Sequence, residues 1–284
     1  MSCRETAAAI ACGSEQLVGI LAEPKTPPSV GVIVVVGGPQ YRAGSHRQFV
    51  LLARTLAAGG YAVLRFDYRG MGDSTGAVRP FTDASADIAA AITALRSRVP
   101  SVTQVVLWGL CDGASAALLY CHDTQDPRVS GLCLLNPWVR SEASLARTHV
   151  KHYYWSRLKQ REFWAKFFSG KVAGSALGGL WRNVRLMKTS AAPPGADTPF
   201  QQRMALAWGR DGDRGILLLL SSADYTAKEF VEYASTDTAW KGLLERSHVV
   251  RRDIPNADHT LSDTASRTEV EALTLRWLDQ HARR

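Results

Sequence analysis

Short, unbroken apolar runs set between stretches of helical periodicity constrain this chain more than any other feature. Residues 31–36 (Gly-Val-Ile-Val-Val-Val) and 216–220 (Ile-Leu-Leu-Leu-Leu) lack polar alternation and read as strands buried on both faces. A helical pattern over 45–58 follows the first, with Phe49, Leu52, Ala53 and Leu56 on one face. Then come a strand at 61–66, a helix at 84–98 that stops ahead of Pro100, and a strand at 104–108. A helix at 112–121 and a strand at 129–135 complete this half. After a basic segment, left through Pro193-Pro194-Gly195, the pattern resumes: strand 216–220, helix 226–244, strand 249–254, helix 264–281. Repeated strand–helix–strand units predict an α/β chain with a mostly parallel sheet flanked by helices. Residues before Val30 supply two leading strands, read as antiparallel at the sheet edge.

In sheets of this kind ligands gather at the carboxyl ends of the strands. There the sequence reads Val105-Val-Leu-Trp-Gly109-Leu-Cys111-Asp-Gly113-Ala, a strand, then Gly-x-Cys-x-Gly, then a helix. This is the pattern of a nucleophile elbow with cysteine in the place of serine. A side chain projecting from so sharp a turn needs neighbours at −2 and +2 without side chains, and Gly109 and Gly113 meet that need. An elbow nucleophile requires a base, and the base an orienting acid, in the chain order nucleophile, acid, histidine. Asp224 follows the 216–220 strand and His259 follows the 249–254 strand, so both are expected at the same end of the sheet as Cys111.

The net charge of +8 is unevenly spread. Residues 138–190 hold eleven Lys/Arg against Glu142 and Glu162, a net +9, and the rest of the chain is −1. This aromatic, basic segment is either a solvated helical pair or a surface for an anionic partner such as an acidic carrier protein. No nucleic-acid motif accompanies it. The five cysteines (3, 12, 111, 121, 133) are odd in number with no Cys-x-x-Cys pair, which speaks against a disulfide framework or structural metal site. No apolar run approaches the ~20 residues that span a bilayer, and no signal-peptide pattern opens the chain. The expectation is a cytoplasmic protein with no transmembrane segment, no metal and no cofactor. Composition says nothing of its oligomeric state.

Taken together, these residues resemble the α/β-hydrolase superfamily. Phe66-Asp67-Tyr-Arg69-Gly70-Met-Gly72-Asp73-Ser74 is similar to that superfamily's D-x-R-G-x-G-x-S loop, whose usual role is a structural turn with Asp67 and Arg69 bonding backbone. More narrowly, Gly37-Gly-Pro-Gln-Tyr-Arg42, Gly44-Ser-His-Arg-Gln-Phe49, Gly109-Leu-Cys-Asp-Gly113, His149-Val-Lys-His-Tyr-Tyr154 and Leu220-Ser-Ser-Ala-Asp-Tyr-Thr-Ala-Lys-Glu-Phe230 resemble the first of two hydrolases associated with the exosortase A system, encoded in bacterial exopolysaccharide and protein-sorting loci. The resemblance implies an α/β-hydrolase core over 1–137 and 191–284. It also implies a basic helical cap over 138–190, inserted after the sixth strand, where lids of this fold cover the site.

The expected chemistry is a Cys111–His259–Asp224 triad passing through a thioester acyl-enzyme. The helix dipole and the imidazole favour a Cys111 thiolate, while the neighbouring Asp112 carboxylate opposes it. The backbone N–H of Asp112 is one expected oxyanion donor. Pro39 has no N–H, so the second falls to Gln40 as first choice or Gly38 as second. A thioester intermediate exchanges nearly isoenergetically with a thioester substrate, which favours acyl hydrolysis or transfer on small-molecule or carrier-bound thioesters and esters. Lactone or polysaccharide-ester cleavage is a second reading of the same triad. A non-catalytic binding or assembly factor retaining the hydrolase fold is the third.

Overall fold

The computed structural model describes residues 3–38, 40–140, 198–210 and 214–282. In chain order these form β1 (Arg4–Cys12), β2 (Glu15–Glu23), β3 (Val30–Val35), α1 (Gln48–Ala58), β4 (Ala62–Phe66), α2 (Ser85–Arg98), β5 (Gln104–Leu110), α3 (Asp112–Thr124) and β6 (Val129–Leu135). They continue with α4 (Phe200–Trp208), β7 (Gly215–Ser221), α5 (Tyr225–Thr236), β8 (Val249–Ile254) and α6 (Thr264–His281). The strands make one sheet in the order β1-β2-β4-β3-β5-β6-β7-β8. β1 and β2 form an antiparallel hairpin, β2 adds antiparallel to β4, and every pairing from β4 to β8 is parallel. This is an α/β-hydrolase fold, and the leading strands stand at the sheet edge as their position predicts.

The apolar runs bury both faces by simple alternation. Val32, Val34 and Val36 of the β3 run join Val106, Trp108 and Leu110 of β5 against α1 and α6, meeting Phe49, Leu52, Leu56, Val270 and Leu278. Ile33, Val35, Val105 and Leu107 point the other way, toward Ile88 and Ile92 of α2, Leu118 of α3 and Met204 of α4. The outer strand β8 is instead exposed at Arg251, Arg252 and Asp253. Charge on an edge strand opposes further strand pairing. No helix among the described residues is long and apolar enough to cross a membrane.

Several element boundaries differ from the sequence reading, and one helix was not expected. α1 begins at Gln48 rather than residue 45, because Ser45–Arg47 form a 3-10 turn with His46 and Arg47 left-handed at φ 52° and 61°. The helix expected over 226–244 ends at Thr236. Asp237 is extended there and its side chain accepts from Ala239 N at 2.9 Å, starting a separate turn that buries Trp240 against Trp208 and Phe230. Gly242 at φ 74° rules out helical continuation. α4 was not anticipated, although Pro199 before it and Gly209 after it are ordinary start and stop signals. The chain divides into two compact units, Met1–Val139 with Pro199–Arg284, and Arg140–Thr198. The expected cap at 138–190, apart from its first three residues, lies outside the described residues.

Candidate active site

β3, β5, β7 and β8 all run parallel, so their carboxyl ends share one edge of the sheet. Gly38 follows β3, Cys111 follows β5, Asp224 follows β7 and His259 follows β8. Cys111 is the N-cap of α3 with φ 59° and ψ −125°, a conformation that costs a residue with a side chain about 1–3 kcal/mol. Backbone bonds impose it. Cys111 N donates to Leu135 O at 2.9 Å, and Cys111 O accepts from Ala114, Ser115 and Trp138 N at 3.1–3.3 Å. The two glycines are necessary at close quarters. A Cβ on Gly109 would stand 2.6 Å from Ala114 N, and one on Gly113 would overlap Val35 O and sit 2.9 Å from Val36 C.

Asp224 is 5% exposed and divides its carboxylate between two tasks. Oδ1 accepts from Thr226 N at 2.9 Å, capping α5, and Oδ2 lies 2.7 Å from His259 Nδ1. The loops carrying the pair are stitched together by Ser222 N to Ile254 O (3.0 Å), Ala223 N to Ala257 O (3.0 Å) and Asn256 N to Ser222 Oγ (2.8 Å). Asp258, adjacent in sequence to the histidine, is turned away. Its carboxylate accepts from Thr260 N at 3.0 Å and Ser262 N at 3.1 Å, folding the loop rather than holding the ring. The bond to Asp224, reinforced by a hydrogen bond with Cys111, pushes the His259 ring up to about 10 despite partial burial. The imidazolium is therefore the favoured form at neutral pH. Cys111, His259 and Asp224 are brought together in the order the sequence predicts.

Asp112 behaves in a way the sequence does not reveal. Its carboxylate accepts from Gly38 N at 2.5 Å. Burial pushes this carboxyl above its usual range, against the opposing pull of that N–H bond. The same crowding explains Gly37, whose Cβ would stand 2.6 Å from Asp112 Oδ1. Of the two expected loop donors, Gly38 is the one whose N–H faces the elbow. Gln40 turns its side chain to Ser45 N at 3.4 Å and Gln48 Nε2 at 3.3 Å, and Pro39 lies outside the described residues.

The 66–74 loop is a scaffold, with one correction to its expected bonds. Asp67, fully buried, pairs with the Arg42 guanidinium and accepts from Arg42 N at 2.6 Å and Asp73 N at 3.2 Å. Arg69 does not bond backbone with its side chain. It forms a fork with Asp87 of α2, at 3.0 and 2.7 Å from Nε and Nη2, because the buried Asp87 carboxylate requires a cation. Sequence reasoning also missed Asn136 at the end of β6. This residue donates to Ser221 Oγ at 3.0 Å and accepts from Ser221 N at 2.8 Å, clasping β6 to β7 beside the elbow. Its left-handed φ of 48°, a conformation that suits asparagine, accompanies this.

Several known proteins are similar to this chain. Human ABHD12B is 35% identical over 86 residues, a stretch that covers 30% of this chain and 23% of that protein. The esterase Pf2001 of Pyrococcus furiosus superposes with a TM-score of 0.63 at 16% identity, over 98% of this chain and 93% of the esterase. Est1E of Butyrivibrio proteoclasticus, solved with ferulic acid, gives 0.60 at 18% identity over 97% and 99% of the two chains. At such identities these structures establish the fold alone. Residues 27–175, just over half of the chain, match the family described as serine aminopeptidase, S33. The chain therefore belongs to that family and carries the α/β-hydrolase fold.

Proposed function

We propose that this chain is a cysteine-dependent acyl hydrolase or acyltransferase, with Cys111 as nucleophile, His259 as acid and base, and Asp224 as the group that orients the ring. The observation that carries the reading is the relay itself. His259 Nδ1 lies 2.7 Å from the Asp224 carboxylate, and Asp224 first and Cys111 second push the same ring up to about 10. The family is described by a serine, and this chain places sulfur on the elbow. A cysteine nucleophile attacks through its thiolate, the reactive form of the sulfur.

The Cys111 sulfur forms a bond to the substrate carbonyl carbon, and the carbonyl electron pair moves to oxygen. Backbone N–H groups of Asp112 and Gly38 are the donors best placed for that oxyanion, which moves Gly38 ahead of Gln40. Collapse expels an alkoxide or thiolate that takes the proton from His259 Nε2, leaving an acyl thioester on Cys111. His259, now neutral, takes a proton from water. The resulting hydroxide attacks the thioester, the C–S bond breaks, the carboxylic acid is released, and the sulfur leaves as thiolate beside the protonated His259. An alternative acceptor in place of water makes the enzyme an acyltransferase. Thioesters and esters are the proposed substrates because exchange between thioesters is nearly thermoneutral. The +9 segment at 138–190 is the proposed dock for an acidic carrier, and the exosortase-type motifs propose a substrate from exopolysaccharide or protein-sorting chemistry.

A non-catalytic reading has one observation in its favour, the Asp112 carboxylate lying on the Gly38 N–H that an oxyanion would need. Turnover of acyl-CoA and p-nitrophenyl esters of several chain lengths, with intact-mass detection of an acyl adduct, separates the two. Cys111→Ala should abolish the adduct and lower turnover by at least about 10³-fold. Equal turnover by wild type and Cys111→Ala would refute the reading.

A further inference from the structure

The Gly38 N–H donates to the Asp112 carboxylate at 2.5 Å beside the elbow, so that carboxylate occupies it. This N–H is one of the two donors assigned above to the oxyanion, so substrate and side chain compete for it. Directly beside it lies a cavity of about 50 Å³ whose lining includes Val36, Gly38, Tyr68, Met71, Phe81 and Asp112. The charged side chains around that cavity are engaged with one another: Arg69 with Asp87, and Arg79 with Asp83 at 2.6 Å. Tyr68 is different. Its hydroxyl is buried and has no hydrogen-bond partner among the described residues, a costly arrangement unless another state supplies the bond. Its ring is held edge-on against Phe66 at 5.4 Å, so the hydroxyl is fixed in place.

We propose that Asp112 is a gate on the oxyanion cradle. In the resting state its carboxylate holds the Gly38 N–H. An incoming carbonyl oxygen displaces it, the side chain swings into the adjoining cavity, and the Tyr68 hydroxyl donates to it there. The swing moves a negative charge off the donors that the oxyanion needs and does so only when a carbonyl is present. Asp112 thereby selects for acyl groups whose carbonyl reaches the cradle, and Tyr68 is the positioning residue that receives the displaced carboxylate. No bond is made or broken in the swing, and no proton need move. The proposal rests on the Cys111–His259–Asp224 reading, since a gate matters only where a tetrahedral intermediate forms.

A double-mutant cycle tests it with p-nitrophenyl acetate turnover as one readout and the iodoacetamide alkylation rate of Cys111 as the other. Alkylation needs the activated sulfur but no oxyanion donor. Asp112→Ala should raise kcat/KM by roughly tenfold or more, the scale of a lost charge-assisted hydrogen bond. Asp112→Asn, which keeps the shape and loses the charge, should give a smaller rise. Tyr68→Phe should lower turnover several-fold in the wild-type background and have no effect in Asp112→Ala, while alkylation changes little throughout. Loss of turnover in folded Asp112→Ala with alkylation intact would overturn the gate and make the carboxylate a brace for the β3 loop. An equal Tyr68→Phe effect in both backgrounds would overturn the role of the tyrosine. Alkylation of Cys111 no faster than that of Cys3, in wild type, would instead be the failure of the triad reading on which the gate depends.

Discussion

Replacing Asp224 with asparagine separates two jobs that the wild-type carboxylate does at once. Asparagine is as good an N-cap as aspartate, so its oxygen can keep the 2.9 Å bond from Thr226 N and the stability of α5 falls by only a few tenths of a kcal/mol. The amide nitrogen must then face His259 Nδ1, where the carboxylate oxygen stood at 2.7 Å. An N–H donor there forces Nδ1 to accept, which leaves the proton on Nε2 and blocks uptake of a proton from sulfur or water. The expected loss is on the order of 10³–10⁴ in kcat, the scale for a wrong histidine tautomer. The His259 ring, pushed up to about 10 by the Asp224 and Cys111 bonds, should titrate near 6.5 or below in Asp224→Asn. That raised value also has a sign in stability. The folded state favours the charged ring, so the stabilisation is complete below about pH 6.5 and disappears as pH rises through about 10. The Tm gap between wild type and Asp224→Asn should therefore be widest toward pH 6 and close toward pH 10. Ester turnover, histidine NMR titration and thermal melts read the three effects. An Asp224→Asn enzyme within tenfold of wild type, with His259 still titrating near 10, would refute the assignment of Asp224.

Other predictions follow from the scaffold. Gly113→Ala places a methyl group against Val35 O and 2.9 Å from Val36 C, so it should cost at least ~1–3 kcal/mol in urea unfolding and move the elbow enough to suppress turnover. Arg42→Ala leaves the fully buried Asp67 carboxylate with two N–H donors and no cation. A loss of about 3 kcal/mol is expected in the same assay. With burial pushing the thiol of Cys121 up to about 11 and that of Cys133 well above the usual thiol range, neither should be alkylated at pH 7 in the folded protein, which mass mapping checks.

The strands of this chain were legible because burial on two faces is written into consecutive residues. Val32 to Val36 alternate between the two cores without a break, and the hairpin of β1 and β2 needed only the turn at Gly13. Gly109 and Gly113 were legible for a related reason, since the space they protect lies within a few residues of the elbow. Helix ends were harder. The apolar positions of α5 continue through Trp240 and Leu243, and only the capping side chain of Asp237 shows that the helix has stopped.

By itself, the sequence determined the layered α/β architecture, the elbow with its cysteine, and the chain order of acid and histidine, all of which rest on local periodicity and spacing. The tertiary structure alone decided which partners each polar group takes. Arg69 meets Asp87 rather than backbone, Asn136 meets Ser221 across 85 positions, and the Asp112 carboxylate takes the N–H of Gly38 across 74. Such bonds depend on which strands become neighbours in the sheet and on a few ångströms of loop placement. Burial then makes them obligatory, because a polar group removed from water must find its partner wherever the fold has brought one.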